Sequence, residues 1–339
     1  MAKKQILKIE KLGFMWATEN PFLFCAHHKD AYPRGNDEFG PPQEDLKGRN
    51  IGNDFEIKDG WRMYHGEKIP GFPAHPHRGF ETVTIVLEGF VDHSDSHGAY
   101  GRYGDGDVQW MTAGSGLQHA EMFPLVHKDK ENPLHLFQVW LNLPRKDKFT
   151  TPYYKMLWAE DIPVIDTMDL NGKKSSIRLI AGKYKEVSSL EAAPASWAND
   201  EKNNVSIWIV KMEPEAIFEI PSVSSTISRN LYYYSGDTIQ IQDTEINSLN
   251  RIKLLGDETI VIKNGHKESQ LFLLEGEPIN EPVVAYGPFV MNTMEEIKET
   301  YKDYKETGFG GWPWDRRDPV HSHEKTRFAK YADGTTIVR

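Results

Sequence analysis

Cysteine is almost missing from this chain: Cys25 is the one thiol in 339 residues. An intramolecular disulfide and a thiolate-rich metal site are both excluded, and nothing argues for secretion. Long apolar runs are also missing, since no stretch approaches the roughly 18 residues that a membrane span needs. The start, Met1-Ala2-Lys3-Lys4-Gln5-Ile6, lacks the apolar core of a signal peptide. Positive charge is in deficit, with 40 Lys and Arg against 50 Asp and Glu for a net charge of −10. No Lys/Arg run marks a basic patch, so direct nucleic-acid binding is disfavoured. These absences lead to the expectation of a soluble, cytoplasmic protein, monomeric by default. The length suffices for two domains.

What the chain does have is histidine, and it is clustered. Ten of the thirteen histidines lie between residues 27 and 135. Two phrases stand out, His75-Pro76-His77 and His119-Ala120-Glu121. Side chains two apart in a strand point to the same face, so each phrase projects two metal-ligand candidates in one direction. If the two strands face a common interior, three imidazoles and a carboxylate converge. The context supports this: His75 to Glu81 runs into the apolar stretch Thr82–Leu87 and Gly89. Gly104-Asp105-Gly106-Asp107 then opens a second turn-and-strand unit that passes Gly114 and Gly116 to reach His119.

Short runs rich in Val, Ile, Phe, Tyr and Trp recur between Gly, Pro and Asp turns: Thr82–Leu87, Leu136–Leu143, Ser206–Met212, Leu231–Ser235, Thr238–Gln242 and Leu271–Leu274. That rhythm predicts an all-β barrel or sandwich. The expected division is an N-terminal barrel over 1–143, a linker over 144–154, a second barrel over 155–292, and a C-terminal helix with an aromatic tail over 293–339. A faint repeat slides Val83–Gly89 onto Asn230–Gly236, which puts Ser222, Ser224 and Ser228 where His75, His77 and Glu81 stand. The second barrel therefore has no evident metal ligands. Thr293-Met294-Glu295-Glu296 has the form of a capping box, the run to Tyr304 reads as helix, and Gly308 stops it. His321-Ser322-His323-Glu324 resembles a metal motif, but its charged, turn-rich neighbours predict an exposed tail.

The paired motifs resemble those of the cupin superfamily. Ile69 replaces the usual glycine six residues before the first histidine, and two extra residues separate Gly106 from His119. The longer phrases His75–Val83, Gln109–Gly114, His119–Met122 and Gly287–Thr293 resemble the pirin family, over roughly residues 10–305. The length beyond Tyr304 and its Trp-Pro-Trp phrase are similar to bacterial or plant-type members. The resemblance implies two cupin (jelly-roll-like) barrels facing each other, with iron in the N-terminal one and none in the second. It implies His75, His77, His119 and Glu121 as the ligands, and a quercetinase-like activity in which O2 cleaves a flavonol with release of carbon monoxide.

Strand parity alone does not choose between Glu81 and Glu121 as the ligand, because Glu81 lies four residues from His77. The resemblance favours Glu121, which leaves Glu81 as an outer residue orienting an imidazole, or in an ion pair with Arg78. Three imidazoles and a carboxylate suit Fe(II), Mn(II), Ni(II) or Co(II), and the resemblance implies iron, Fe(II), first among them. Four protein ligands leave two octahedral positions open for substrate and O2, and Glu121 is also the candidate catalytic base. Phe80, Trp110, Met111 and Phe123 are candidates to line a pocket for a flat, flavonol-like substrate. Two alternatives stand beside this reading. One is a non-catalytic, iron-dependent redox sensor that binds a protein partner. The other is a cupin isomerase, for which only Arg78 and Arg102 supply nearby cations. His93 and His97 are expected in a solvent-contacting loop, with a place at the metal rim as acid–base groups the alternative.

Overall fold

Alternation of inward apolar and outward polar residues produces strands along almost the whole chain, with a single α-helix among the described residues. The computed structural model describes residues 3–322 and 326–339. All six runs singled out above fall on strands, Phe80–Glu88, Asn132–Asn142, Ser206–Met212, Ser228–Ser235, Thr238–Ile241 and Ser269–Gly276, with Leu143 and Gln242 left just outside. Among the described residues no helix is long and apolar enough to cross a membrane.

By contacts the chain falls into two compact units, 1–26 with 139–142 and 160–280, and 27–138 with 143–159 and 281–339. The consecutive ranges expected above put 1–26 with the first barrel. In the structure the strand Ile6–Lys11 instead pairs with Asn250–Leu254, because its exposed edge needs a partner and a distant strand supplies one. That unit has a seven-stranded sheet in the order Ile6–Lys11, Asn250–Leu254, Ser228–Ser235, Ser269–Gly276, Ser206–Met212, Lys174–Ala181, Val164–Met168. A four-stranded sheet, Ile217–Ile220, Ile260–Asn264, Thr238–Ile241, Thr244–Asn247, packs its apolar residues into the same core.

In the histidine-rich unit one sheet runs Thr336–Val338, Phe328–Lys330, Tyr100–Gly104, Phe90–Asp95, Leu117–Met122, Gly71–His77. Tyr153–Leu157, Val108–Thr112 and Phe80–Glu88 are successive strands of a second. Two corrections follow. The stretch read as a linker ends in a strand, with Tyr153 opposite Thr112. The stretch read as an exposed tail supplies two strands, with Phe328 opposite Arg102. His321 is half-buried between Tyr100 and Phe328, whereas His323 and Glu324 lie outside the described residues. The helix Met294–Thr307 has the expected capping box from Thr293 and Glu296, and Gly308 ends it at φ 55°. Cys25 is buried in the strand Phe22–Tyr32 as a small apolar residue.

Candidate metal centre

Two neighbouring strands carry the histidine phrases, and their register makes them converge. Gly71–His77 runs antiparallel to Leu117–Met122 with His75 opposite His119 and His77 opposite Leu117. Directly opposed residues share a face. On the other side of Leu117–Met122, Glu121 stands opposite His93 and His119 opposite Asp95. One face of three strands therefore presents His75, His77, His119, Glu121, His93 and Asp95. The ligand atoms of His75, His77 and His119 all lie within 4.8 Å of one another.

Hydrogen bonding prepares these rings for a cation. His75 Nδ1 lies 2.9 Å from Pro73 O and His77 Nδ1 3.3 Å from Pro288 O. A carbonyl accepts, so Nδ1 bears the proton and Nε2 keeps its lone pair, the tautomer a metal-binding imidazole needs. His119 is fully buried, and neither ring nitrogen has a hydrogen-bond partner among the described residues. Leaving two buried polar atoms unsatisfied is costly, and a bound metal ion would satisfy one of them. Burial lowers the pKa of His75 to about 4 and holds His77 and His119 well below the ordinary value. At neutral pH the cluster is uncharged and able to donate. The residues fit a metal ion.

Glu121 Oε2 lies 3.8 Å from His119 Nε2. Gln138 Nε2 donates to its Oε2 at 2.6 Å and Thr84 Oγ1 to its Oε1 at 3.1 Å. Burial raises the Glu121 pKa, while His93 and the hydrogen bonds from Gln138, Thr84 and Tyr103 oppose the rise. The carboxylate is thus held rigidly beside the imidazoles. Thr84, Tyr103 and Gln138 were not singled out from the sequence; for Thr84 and Gln138 the signal was a polar residue inside an otherwise apolar run.

Thr84 also fixes the parity of its own strand. Phe80–Glu88 faces Val108–Thr112 with Thr84 opposite Gln109, Thr82 opposite Met111, Val83 opposite Trp110 and Glu81 opposite Thr112. Thr84 points to Glu121, so Phe80, Thr82 and Met111 share that face. The Phe80 ring centroid is 5.1 Å from that of His77. Trp110 and Glu81 are on the opposite face, and Glu81 accepts a 2.7 Å hydrogen bond from Thr112. That parity corrects the expectation of Trp110 as a pocket wall and Glu81 as an outer residue orienting an imidazole. Arg78 turns to Ser115 O and Asp303. Phe123 packs on Phe72, which in turn meets His75.

His93 corrects the loop expectation, since it is fully buried in the strand Phe90–Asp95. Its Nε2 meets Asp95 Oδ2 at 3.2 Å and its ring stacks on Tyr154 at 4.9 Å. His97 is exposed in the following turn, as expected. Lys148, inside the supposed linker, is 1% exposed and donates to Gly79 O and Val290 O. Burial lowers its pKa from 10.5 to about 8, against the pull of Glu281 and Glu296. Between about pH 8 and 10.5 the unfolded chain holds a proton that the folded chain releases, so this group makes stability rise with pH across that window. In urea titrations at pH 7.5 and 10, Lys148→Met is expected to lose this increment; equal pH dependence in both proteins would contradict the assignment.

The comparisons agree with this geometry. Residues 15–141 match the Pirin family model, and 207–310 match that of the Pirin C-terminal cupin domain. A Pseudomonas aeruginosa protein named "Putative quercetin 2,3-dioxygenase" is 35% identical over 245 residues, 70% of this chain and 79% of the relative. Rattus norvegicus pirin is 36% identical over 253 residues, 73% of this chain and 81% of the relative. The crystal structure of a quercetin 2,3-dioxygenase from Acinetobacter baumannii matches with a TM-score of 0.70 at 27% identity, covering 91% of this chain and 99% of its own. Two family models in tandem, together with relatives of this identity and coverage, establish that the chain belongs to the pirin family and has its two-cupin fold.

Proposed function

We propose that the chain is a metal-dependent dioxygenase of the quercetinase type. In this reading His75, His77, His119 and Glu121 hold Fe(II), with Mn(II), Ni(II) or Co(II) as substitutes, and a flavonol-like substrate is cleaved by O2 with loss of carbon monoxide. The observation that carries it is the buried three-imidazole cluster in which neither ring nitrogen of His119 has a hydrogen-bond partner among the described residues; names borne by similar proteins support the substrate class. The metal, when bound, supplies a Lewis acid that favours the deprotonated flavonol and an open position for O2. The chain's own residues do the rest. His75 and His77 are oriented by backbone carbonyls. Glu121, cradled by Gln138 and Thr84, is placed to take the proton of the flavonol 3-hydroxyl. Phe80 and Met111, on the face of the second sheet from which Thr84 reaches Glu121, would give a flat ring an apolar surface. The site works in the cytoplasm on a monomer.

The test is anaerobic loading with Fe(II), followed by O2 uptake and carbon monoxide release with quercetin. Glu121→Gln serves as the variant, since it keeps the shape and removes the base. The expected result is turnover that falls at least about a hundredfold in the variant, the range of a general base. Tight iron binding with no turnover of quercetin would reject the dioxygenase and leave the redox-sensing regulator with a protein partner.

A further inference from the structure

The unit that contains residues 160–280 has no histidine cluster, yet its interior is not uniformly apolar. Ser206 stands opposite Glu275, Trp208 opposite Leu273, and Arg229 opposite Glu275. Opposed residues and residues two apart share a face, so Ser206, Trp208, Arg229 and Glu275 all point one way. Trp208 and Leu273 belong to the apolar core of this unit, which makes that face the inner one. Arg229 and Glu275 are 0% and 1% exposed and meet at 2.6 Å. The rest of the guanidinium donates to the carbonyl oxygens of Leu255, Glu258 and Pro221. Apolar residues of similar volume stabilise a core as well as a buried ion pair does, so closing the barrel does not by itself account for the pair.

Two further observations point to a ligand. Trp208 is 2% exposed, and its Nε1–H has no acceptor among the described residues. Trp208, Ser206 and Glu275 together line a cavity of about 640 Å³, within the usual size of small-molecule sites. Lys183, Lys185, Glu191, Asp200, Glu201 and the exposed Ser188 line it as well. A hydroxyl is the neutral group that can both accept from an indole N–H and donate to a carboxylate. An anionic ligand would instead meet the lining carboxylates Glu191, Asp200 and Glu201, which outnumber Lys183 and Lys185.

We propose that this cavity binds a small, uncharged, hydroxylated ring, with one hydroxyl accepting from Trp208 Nε1 and donating to Glu275. The site is separate from the metal centre and needs no metal.

The experiment titrates the full chain calorimetrically with catechol, a flat phenol, and with D-glucose, a saccharide; benzoate is the anionic control. At least one hydroxylated probe is expected to bind saturably, tighter than about 10 mM, with benzoate at least tenfold weaker. Trp208→Phe keeps the ring and removes the donor, while Ser188→Trp fills the cavity from an exposed position. Each is expected to weaken binding at least tenfold, and His75→Ala to leave it unchanged. Whichever probe binds more tightly tells a phenolic ligand from a saccharide. Failure of both probes, equal binding of benzoate, or binding that survives Ser188→Trp would overturn the proposal. So would binding that His75→Ala abolishes, which would put the probe at the metal centre.

Discussion

His119→Leu is expected to lower Fe(II) affinity by more than about a hundredfold, beyond the 10–100-fold that removal of an outer partner typically costs. The imidazole makes no hydrogen bond among the described residues, so its deletion removes no hydrogen bond among them from the metal-free fold. Leucine has nearly the volume of histidine, and it keeps the packing against His75 and His77, whose ring centroids lie 4.4 and 4.9 Å away. The contribution to stability of the metal-free protein is accordingly small, within about 1.5 kcal/mol for a volume-conserving core change. Gln138→Leu is the graded companion. It strips the 2.6 Å donor from Glu121 while leaving the imidazoles in place, and its loss belongs within the 10–100-fold range. Anaerobic competition against a chromophoric chelator measures both. Thermal unfolding adds a second readout, because a ligand at a hundred times its Kd stabilises the folded state by about 2.7 kcal/mol. Wild-type iron affinity in His119→Leu would remove the three-imidazole centre as the metal site.

The strands and the ligand phrases were legible because Cβ alternation is a local property. His75 and His77 share a face whatever the rest of the chain does, and so do His119 and Glu121. The capping box at Thr293 is equally local. The choice between Glu81 and Glu121 was not legible, for a reason now visible at Gly79. There the chain leaves the strand Gly71–His77 and enters Phe80–Glu88 in the other sheet. Gly79 sits at φ +87°, and a Cβ on it would press on Val290 O at 2.0 Å, so the turn requires glycine. Counting four residues from His77 to Glu81 therefore crosses a break, and parity carries no meaning across it. Lys148 is similar: among Arg145, Lys146, Asp147 and Lys148, nothing in composition marks which cation is buried. The strand Phe328–Lys330 is three residues long and pairs with Tyr100–Gly104 more than 220 residues earlier. Periodicity cannot show a pairing that short and that distant.

The C-terminal segment leads to the largest expected loss of stability. Arg102 and Asp92 are 2% and 0% exposed, stand opposite each other on adjacent strands, and meet through two 2.7 Å hydrogen bonds, a bidentate pair. Arg102 also donates to the carbonyls of His321 and Ser322. His321 returns two bonds, from its backbone N–H to Asp92 and from its ring to His93 O. One ion pair thus ties the late segment to the strand that carries His93. Arg102→Met is expected to cost about 3–5 kcal/mol, the usual loss when one partner of a buried pair goes and the other charge stays. The double variant Asp92→Leu with Arg102→Met removes the stranded charge as well and is expected to recover most of that loss. Stability curves in urea for the two variants separate the electrostatic cost from packing. Limited proteolysis should find the segment around His321 opened in Arg102→Met before the barrel strands are cut, since its anchors on Arg102 go first. If the single variant is as stable as the wild type, or the double variant falls as far as the single one, the ion pair is not what holds the segment. The anchoring would then rest on the pairing of Phe328–Lys330 with Tyr100–Gly104 and on Trp314, whose Nε1 donates to Asp95 O.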